Sequence, residues 1–384
     1  MKLAYISPSI LPSRTANSVH VVMQCDAFIK TIDEVVLYAK RQMPESTQLE
    51  SAMESIYGVS LNKVRLVTFW RRSNRGDNLK IAFLALWDLF MNKWPDVILS
   101  RNLYASFVIA VILRRPLLFE THQLEQGIRK LIQRLIMIQH RVITIVISNK
   151  LSELLKHHHD REPSQTLVLH DAAPEKIEPI SSEKRHNSLI QIAPQAEGDW
   201  TGVCGYFGHL YTGRGVKIIE QMAKARPDVL FLLFGGNEKD INDRKNVNQF
   251  SNLIYMGHVH YPVAQQAMKS VDVLLMPYQE SVSIGVPDHD TARWMSPMKM
   301  FEYMATGVPI ISSDLPVLCE VLKNGKNALL APPNKSESWI AALDILLSNK
   351  KLAHSLGACA HKDYKNNYTW LIRANNILDA ARSL

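Results

Sequence analysis

The stretch Pro287–Asp314, PDHDTARWMSPMKMFEYMATGVPIISSD, decides how the chain is read. It parses as a loop, a capped helix and a buried strand. Ser296 can serve as N-cap, and Pro297 suits the first helical position, where its missing N–H would be unpaired anyway. Gly307 closes the helix, and VPIIS after it is a short β-rich run. Lys299 and Glu302 stand three residues apart near the helix start, so their side chains lie near one face. A helix N-terminus with a lysine in its first turn suits a phosphate. In isolation, a surface helix with a solvated charge pair is the plainer explanation, so the neighbouring sequence has to decide.

Outward from this stretch, strands and helices alternate through both halves of the chain. In the second half, GYFGHLYTGRGVKIIEQMAKARP reads as strand, Gly-containing loop and helix. DVLFLLFGG, LIYMGHV, DVLLMPY and VPIISS are further strands, with helices at Pro262–Ser270 and Ser296–Ala305. The first half opens on the strand LAYISP. A polar loop, Pro12–Ser18, then leads into a helix with Val19, Val22, Met23, Cys25 and Phe28 at helical spacing. EVVLYAK, KVRLVTF, DVILS, PLLFE and TLVLHDAA continue the strands. This is α/β alternation of the doubly wound kind, whose ligands sit beyond the carboxyl ends of the strands. No GxGxxG occurs, so a dinucleotide is not indicated. Ser13, Asn17, Ser18 and His20 are polar groups at the first such loop, and His122 follows the strand PLLFE. Residues 175–198, rich in Ser, Pro, Glu and Lys, read as an interdomain linker. Two successive halves of similar size predict two facing Rossmann-like domains with a cleft between them, over residues 1–180 and 181–365.

Composition agrees with a folded protein of two domains: 384 residues, 47% hydrophobic, 21% charged. The net charge is +8, and residues 1–180 hold 23 Lys+Arg against 17 Asp+Glu, so most of the excess lies in the first half. That bias suits an anionic partner: nucleic acid, a membrane surface or a phosphorylated substrate. No nucleic-acid-binding module is recognisable, so nucleic acid is not expected. Ile128 to Arg141 interleaves apolar residues with Arg129, Lys130, Arg134 and Arg141. This is compatible with a basic amphipathic helix in peripheral contact with an anionic membrane. The Arg71–Trp94 segment, with three nearby arginines and Trp87, Phe90 and Trp94, could join it. The four cysteines, Cys25, Cys204, Cys319 and Cys359, are far apart, which argues for a reducing compartment and against a zinc site. The N-terminus lacks a signal-peptide core and no apolar run reaches the ~20 residues of a membrane span. A cytoplasmic location, peripheral at most to the inner face of the cell membrane, is expected.

These pieces together carry a family resemblance. GYFGHLYTGRGVKII, PDVLFLLFGG, LIYMGHV, VDVLLMPY and SPMKMFEYMATGVPIISSDLPVLCEVL resemble, in order and spacing, the nucleotide-sugar-binding domain of GT-B glycosyltransferases, especially the retaining family-4 group. YISPSILPSRTANSVHV, FETHQ, ISNKLSELL and VLHDAA fit its first domain, and YTWLIRANNIL resembles the last helix, placed at 366–384, which returns to the first domain. The resemblance implies a retaining, metal-independent transferase that moves a sugar from a UDP- or GDP-linked donor, with no further cofactor. The acceptor would be a hydroxyl of a glycan or lipid-linked molecule in bacterial surface polysaccharide or lipopolysaccharide synthesis. It implies that Glu302 binds the donor ribose and that Arg214 and Lys299 hold the diphosphate. Gly213, Gly235, Tyr278, Ser296, Pro297 and Met298 would complete the donor site. His122 would stand near the reacting sugar, with Ser13, Asn17, Ser18 and His20 in the loop facing diphosphate and acceptor.

Two positions depart from the family pattern. Trp294 stands where the first glutamate of the seven-spaced pair would contact the sugar, and Asp288 or Asp290 could supply the missing carboxylate. His209 stands where many members carry an arginine. The Trp294 departure is the main support for the alternative, a non-catalytic GT-B subunit that binds a nucleotide sugar. A GT-B epimerase would need acidic groups poised for proton abstraction, and a phosphorylase a much longer chain; neither pattern is present.

Overall fold

A computed structural model describes residues 1–43, 49–71, 76–175, 177–247, 250–282 and 290–384. The chain forms two compact units, residues 1–171 with 370–384, and residues 172–369. Each is an α/β unit built on one all-parallel sheet.

The first sheet has seven strands: β1 (Lys2–Leu11), β2 (Glu34–Arg41), β3 (Val64–Trp70), β4 (Val97–Ser100), β5 (Leu117–Thr121), β6 (Val142–Val146) and β7 (Gln165–Val168). Their spatial order is β3-β2-β1-β4-β5-β6-β7. The order reverses direction between β1 and β4, which is where a doubly wound sheet opens a crevice for ligands. The helix Trp370–Arg382 belongs to this unit and packs on the helix Ala16–Phe28, with Trp370, Ala374, Ile377 and Leu378 buried. The latter helix starts at Ala16, earlier than its polar sequence suggests. Asn17 and Ser18 therefore lie in its first turn rather than in a loop, with Ser18 Oγ donating to the Ile10 carbonyl at 2.8 Å.

The second sheet has six strands: β8 (Gly202–Phe207), β9 (Val229–Phe234), β10 (Leu253–Gly257), β11 (Val273–Met276), β12 (Ile310–Ser313) and β13 (Leu329–Ala331), in the order β10-β9-β8-β11-β12-β13. Helices cover both faces, so its central strands are continuously apolar rather than alternating. The period of two sorts them: Leu230, Leu232 and Phe234 of β9 enter one core layer, and Val229, Phe231 and Leu233 the other. The reversal here lies between β8 and β11.

Three local expectations are corrected. Residues 175–198 are not a free linker. Ser182–Ile192 is a helix packed on the helix Tyr261–Ser270, and Ile177, Leu189, Ala193 and Ala196 are buried in the core of the second unit. Their apolar side chains recur at helical spacing under a polar composition. The decisive helix spans Met298–Thr306, not Ser296–Ala305. Pro297, with φ −75° and ψ 120°, is extended and occupies the cap position that the sequence offered to Ser296, while its carbonyl accepts from the Met300 N–H at 2.9 Å. Gly307 does end that helix, at φ +69°. Finally, the basic helix is Gly127–Met137, so Arg141 lies beyond it, and Arg129 turns to Glu125 at 2.8 Å.

Candidate functional site

Each unit gathers charged side chains at the carboxyl ends of its strands. In the second unit the loop after β8 and the segment after β11 meet closely. Gly215, at φ +77°, lies so near the Pro277 carbonyl that a Cβ would stand 1.7 Å from its oxygen, so only glycine fits. Gly213 is likewise left-handed, and its carbonyl accepts from the Gln279 N–H at 2.9 Å. The helix Val216–Ala225 begins directly after Gly215 and turns its first N–H groups toward this loop.

The close approach brings Arg214 to Tyr278, a buried residue just past β11. Arg214 Nη1 donates to the Tyr278 hydroxyl at 2.9 Å, and the guanidinium lies 5.2 Å from the ring centre. Its Nε–H is buried with no hydrogen-bond partner among the described residues. Lys299 reaches the same ring from the helix Met298–Thr306. Its Nζ is 4.5 Å from the Tyr278 ring centre and 4.3 Å from that of Tyr206. Aromatic faces attract a cation but do not neutralise it. Among the described residues Lys299 has no ion-pair partner within contact. Burial and the neighbouring Arg214 push its ammonium well below the usual lysine range, against the pull of Glu302.

Glu302, one turn along, accepts from the Tyr261 hydroxyl at 2.7 Å, and burial raises its carboxyl. Gly235, past the end of β9, lies against the Gly208 carbonyl, and Gly208 in turn adjoins Lys299 Nζ. His209 stacks on Tyr211, with ring centres 4.7 Å apart. Burial and the charges of Arg214 and Lys299 lower its imidazole. Arg214, Lys299, Tyr278, Glu302, Gly213 and Gly235 are thus brought into one neighbourhood.

The loop ahead of the decisive helix is less gathered. Asp290 accepts from the Val282 and Ala292 N–H groups, both at 2.9 Å, which hold its carboxyl down against the effect of burial. That carboxylate is committed to its own loop. Trp294 is half-buried, and its backbone N–H donates to the Thr291 carbonyl at 3.1 Å. Ser296 is buried, while Pro297 and Met298 are half-buried at the helix start. Asp288 lies outside the described residues.

In the first unit the polar groups form a connected network, with Arg101 Nη1 and Gln24 Nε2 buried without a hydrogen-bond partner among the described residues. His122, just past β5, has Nδ1 3.0 Å from Arg101 Nη2 and Nε2 2.9 Å from Glu120 Oε1. Arg101 can only donate, so Nδ1 accepts and Nε2 carries the proton. Burial and Arg101 push the His122 imidazole down to about 4 in spite of Glu120. Glu120 Oε1 also meets Arg373 Nη2 at 2.6 Å and lies 3.1 Å from His20 Nε2, and Oε2 accepts from the Tyr5 hydroxyl at 3.1 Å. Burial alone would raise this carboxyl, but Arg373 and His20 hold it well below the usual carboxylate range. His20 Nδ1 is 2.7 Å from Asp171 Oδ1, and its ring packs edge-on against His122 and Trp370.

His20, Glu120 and His122 offer ligand atoms within 4.8 Å of one another, a spacing a metal ion could use. Arg373 and Arg101 already occupy the carboxylate and the Nδ1 lone pair, so a cation there would face two guanidiniums. Near the same helix, Asn17 Nδ2 donates to Ser9 Oγ at 2.8 Å, and Ser13 Oγ donates to Thr15 Oγ1 at 3.2 Å.

Sequence reasoning did not single out Glu120, Arg101, Asp171, Arg373, Tyr206 or Tyr261. Glu120 had a signal: it stands two residues before His122, a spacing that puts two strand residues on one side.

Comparisons with known proteins give a family for part of the chain and a fold for all of it. Residues 202–349 match the family of glycosyl transferases group 1. A phosphatidyl-myo-inositol mannosyltransferase of Mycolicibacterium smegmatis is 26% identical over 152 residues, which cover 40% of this chain and 36% of that protein. A D-inositol 3-phosphate glycosyltransferase of Jonesia denitrificans is 22% identical over 247 residues, covering 57% and 54%. The matches thus span about a third to about half of the length of these relatives. Among solved structures, Anabaena HepE in complex with UDP and glucose superposes with a TM-score of 0.72 at 15% identity, covering all of both chains. Sucrose-phosphate synthase of Thermosynechococcus elongatus gives 0.74 at 15% identity, covering all of this chain and 98% of that one. At these identities the likeness is one of fold, and that fold is GT-B.

Proposed function

We propose a retaining glycosyltransferase that uses a nucleotide-diphosphate sugar, since residues 202–349 match the glycosyl transferases group 1 and the chain has the GT-B fold. One observation carries the proposal. Arg214 and Lys299 converge on Tyr278 beside the start of the helix Val216–Ala225, and among the described residues no carboxylate lies within contact of them. Two cations and a helix N-terminus suit a diphosphate. Breaking a sugar–phosphate bond builds charge on that diphosphate, and fixed cations stabilise this state more than the ground state. The reaction in this reading needs no metal, because Arg214 and Lys299 supply the positive charge.

In the same reading Glu302 binds the ribose hydroxyls, and Gly213, Gly235, Tyr278, Ser296, Pro297 and Met298 complete the donor site. The likeness to a UDP-binding structure supports a UDP- or GDP-linked donor. The acceptor is a hydroxyl of a glycan or lipid-linked molecule in surface polysaccharide synthesis. The mannosyltransferase relative, whose name specifies phosphatidyl-myo-inositol, supports the lipid-linked class. His122 addresses the reacting sugar, Ser13, Asn17, Ser18 and His20 stand on the acceptor side, and Asp290 and Trp294 shape sugar choice. The leaving phosphate takes the acceptor proton on the face it departs from, which retains the anomeric configuration.

We place the protein in the cytoplasm, peripheral to the inner face of the membrane. No described helix is long and apolar enough to cross a bilayer. The support is the helix Asp77–Met91, where Phe83, Trp87, Phe90 and Met91 are each at least 58% exposed. Phe83 and Trp87 stack along that helix, and exposed Lys80, Lys93, Arg114 and Arg115 lie on it and on neighbouring segments. Aromatic side chains rimmed by cations suit an anionic lipid surface. Arg72 and Arg75 of the same stretch lie outside the described residues.

The alternative, a subunit that binds a nucleotide sugar without transferring it, is favoured by Trp294 alone. Incubating the purified protein with UDP- and GDP-sugars in excess chelator distinguishes the two. Donor hydrolysis or transfer is expected, and donor binding without either would establish the alternative.

A further inference from the structure

The last helix brings Arg373 into the first unit's network from 253 residues beyond Glu120. Arg373 is 3% exposed, and each of its nitrogens is engaged: Nη2 with Glu120 Oε1 at 2.6 Å, Nη1 with Gln24 Oε1 at 2.6 Å, and Nε with the His170 carbonyl at 3.1 Å. A buried guanidinium held this way carries a fixed charge in a fixed place. Its partner oxygen, Glu120 Oε1, is the one that faces His122 Nε2 at 2.9 Å. One carboxylate oxygen is therefore shared between a permanent cation and an imidazole.

We infer that Arg373 is a positioning residue: by neutralising Glu120 it keeps His122 uncharged, with Nε2–H directed to Glu120 and the Nδ1 lone pair to Arg101. A buried carboxylate without a cation would draw a proton onto the imidazole beside it, because an imidazolium would then be its nearest counter-charge. The groups around His122 are Arg101 after β4, Glu120 on β5, His20 on the helix Ala16–Phe28, Asp171 after β7 and, through Glu120, Tyr5 on β1 and Arg373 on the last helix. Of the two guanidiniums Arg373 is the one in contact with the carboxylate that faces His122, and His20 Nε2 lies 3.1 Å from the same oxygen. With Nε2–H engaged by Glu120 and Nδ1 by Arg101, the neutral imidazole is held in one orientation, as a side chain set beside a reacting sugar requires. That consequence for turnover rests on the transferase reading; the protonation state does not.

The test is a histidine titration by NMR on the full chain, without donor or acceptor. In the unaltered protein His122 should stay neutral down to about pH 5, with its midpoint near the value of about 4 already described. Arg373→Gln keeps an amide donor for Glu120 and removes the charge. It should raise the His122 midpoint by about 1–3 pH units, and Arg373→Lys should reverse most of that rise. A midpoint unmoved in Arg373→Gln, equal shifts in the Gln and Lys variants, or a rise confined to His20 would overturn the inference. Should Arg373→Gln not fold, the unaltered protein still decides, since a His122 midpoint at or above its ordinary value of about 6.5 contradicts it. Neither readout needs activity, so an inactive protein with the predicted titration would refute the transferase reading and leave this inference standing.

Discussion

The two units treat buried charge in opposite ways. In the first, two carboxylates, Glu120 and Asp171, lie among two guanidiniums, Arg101 and Arg373, and each carboxylate has a cation or imidazole in contact. In the second, Arg214 and Lys299 press against one tyrosine ring with Glu302 turned to Tyr261. The first arrangement is complete without a ligand and serves orientation. The second, in the function proposed above, takes up an anion between its cations. Matched charges suit a positioned group, and cations without a carboxylate in contact suit an anionic ligand.

Substitutions should separate the two arrangements by what they cost. Arg214→Ala and Lys299→Ala should each lower turnover by roughly 10²-fold or more, read as kcat with a UDP- or GDP-sugar, and Glu302→Ala should remove most nucleotide affinity. If acceptor affinity alone changed, the diphosphate role of the cations would fall. Stability should respond in the reverse sense. Glu120→Ala leaves Arg373 buried and unpaired, which should cost about 3–5 kcal/mol in denaturant unfolding. Lys299→Met removes a cation that folding disfavours and should raise the ligand-free Tm by about 2–4 °C. A fall in Tm for Lys299→Met would mean that the lysine is already neutralised.

Acid should act on the first unit. His122 and buried His159 are both pushed down to about 4, whereas the unfolded chain takes up these protons near pH 6.5. The folded state thus binds fewer protons in that interval. Stability is full above about pH 6.5 and falls as pH drops toward 4, which thermal melts across that window would reveal. Smallest for chemistry, replacing Phe83, Trp87 and Phe90 together with Ser should weaken binding to anionic vesicles by at least about 10-fold. Donor hydrolysis should stay within about 2-fold. Equal binding to neutral vesicles would break the electrostatic part of that account.

Much of the second unit was legible because its signals are local. Continuous apolar runs such as VLFLLF mark buried parallel strands, Gly307 marks a helix end, and Lys299 with Glu302 is a spacing on one helix. What escaped was decided by contacts distant in sequence. Nothing near Arg373 indicates that it will meet Glu120, and nothing near Tyr261 that it will bind Glu302. The short strands β6 and β13 were also not singled out: Val142–Val146 continues directly from a basic helix, and Leu329–Ala331 is only three residues long. The 175–198 stretch misled because its polar composition hides four side chains that enter a core.

Calorimetric binding of UDP- and GDP-sugars, set beside the corresponding phosphate-free nucleosides, tests the central claim most directly. The unaltered protein should bind one of the two nucleotide sugars. Arg214→Gln and Lys299→Met should each lose about 10²-fold of that affinity while nucleoside binding changes little. Equal nucleotide-sugar affinity in all three proteins would contradict the assignment of these cations to the donor diphosphate.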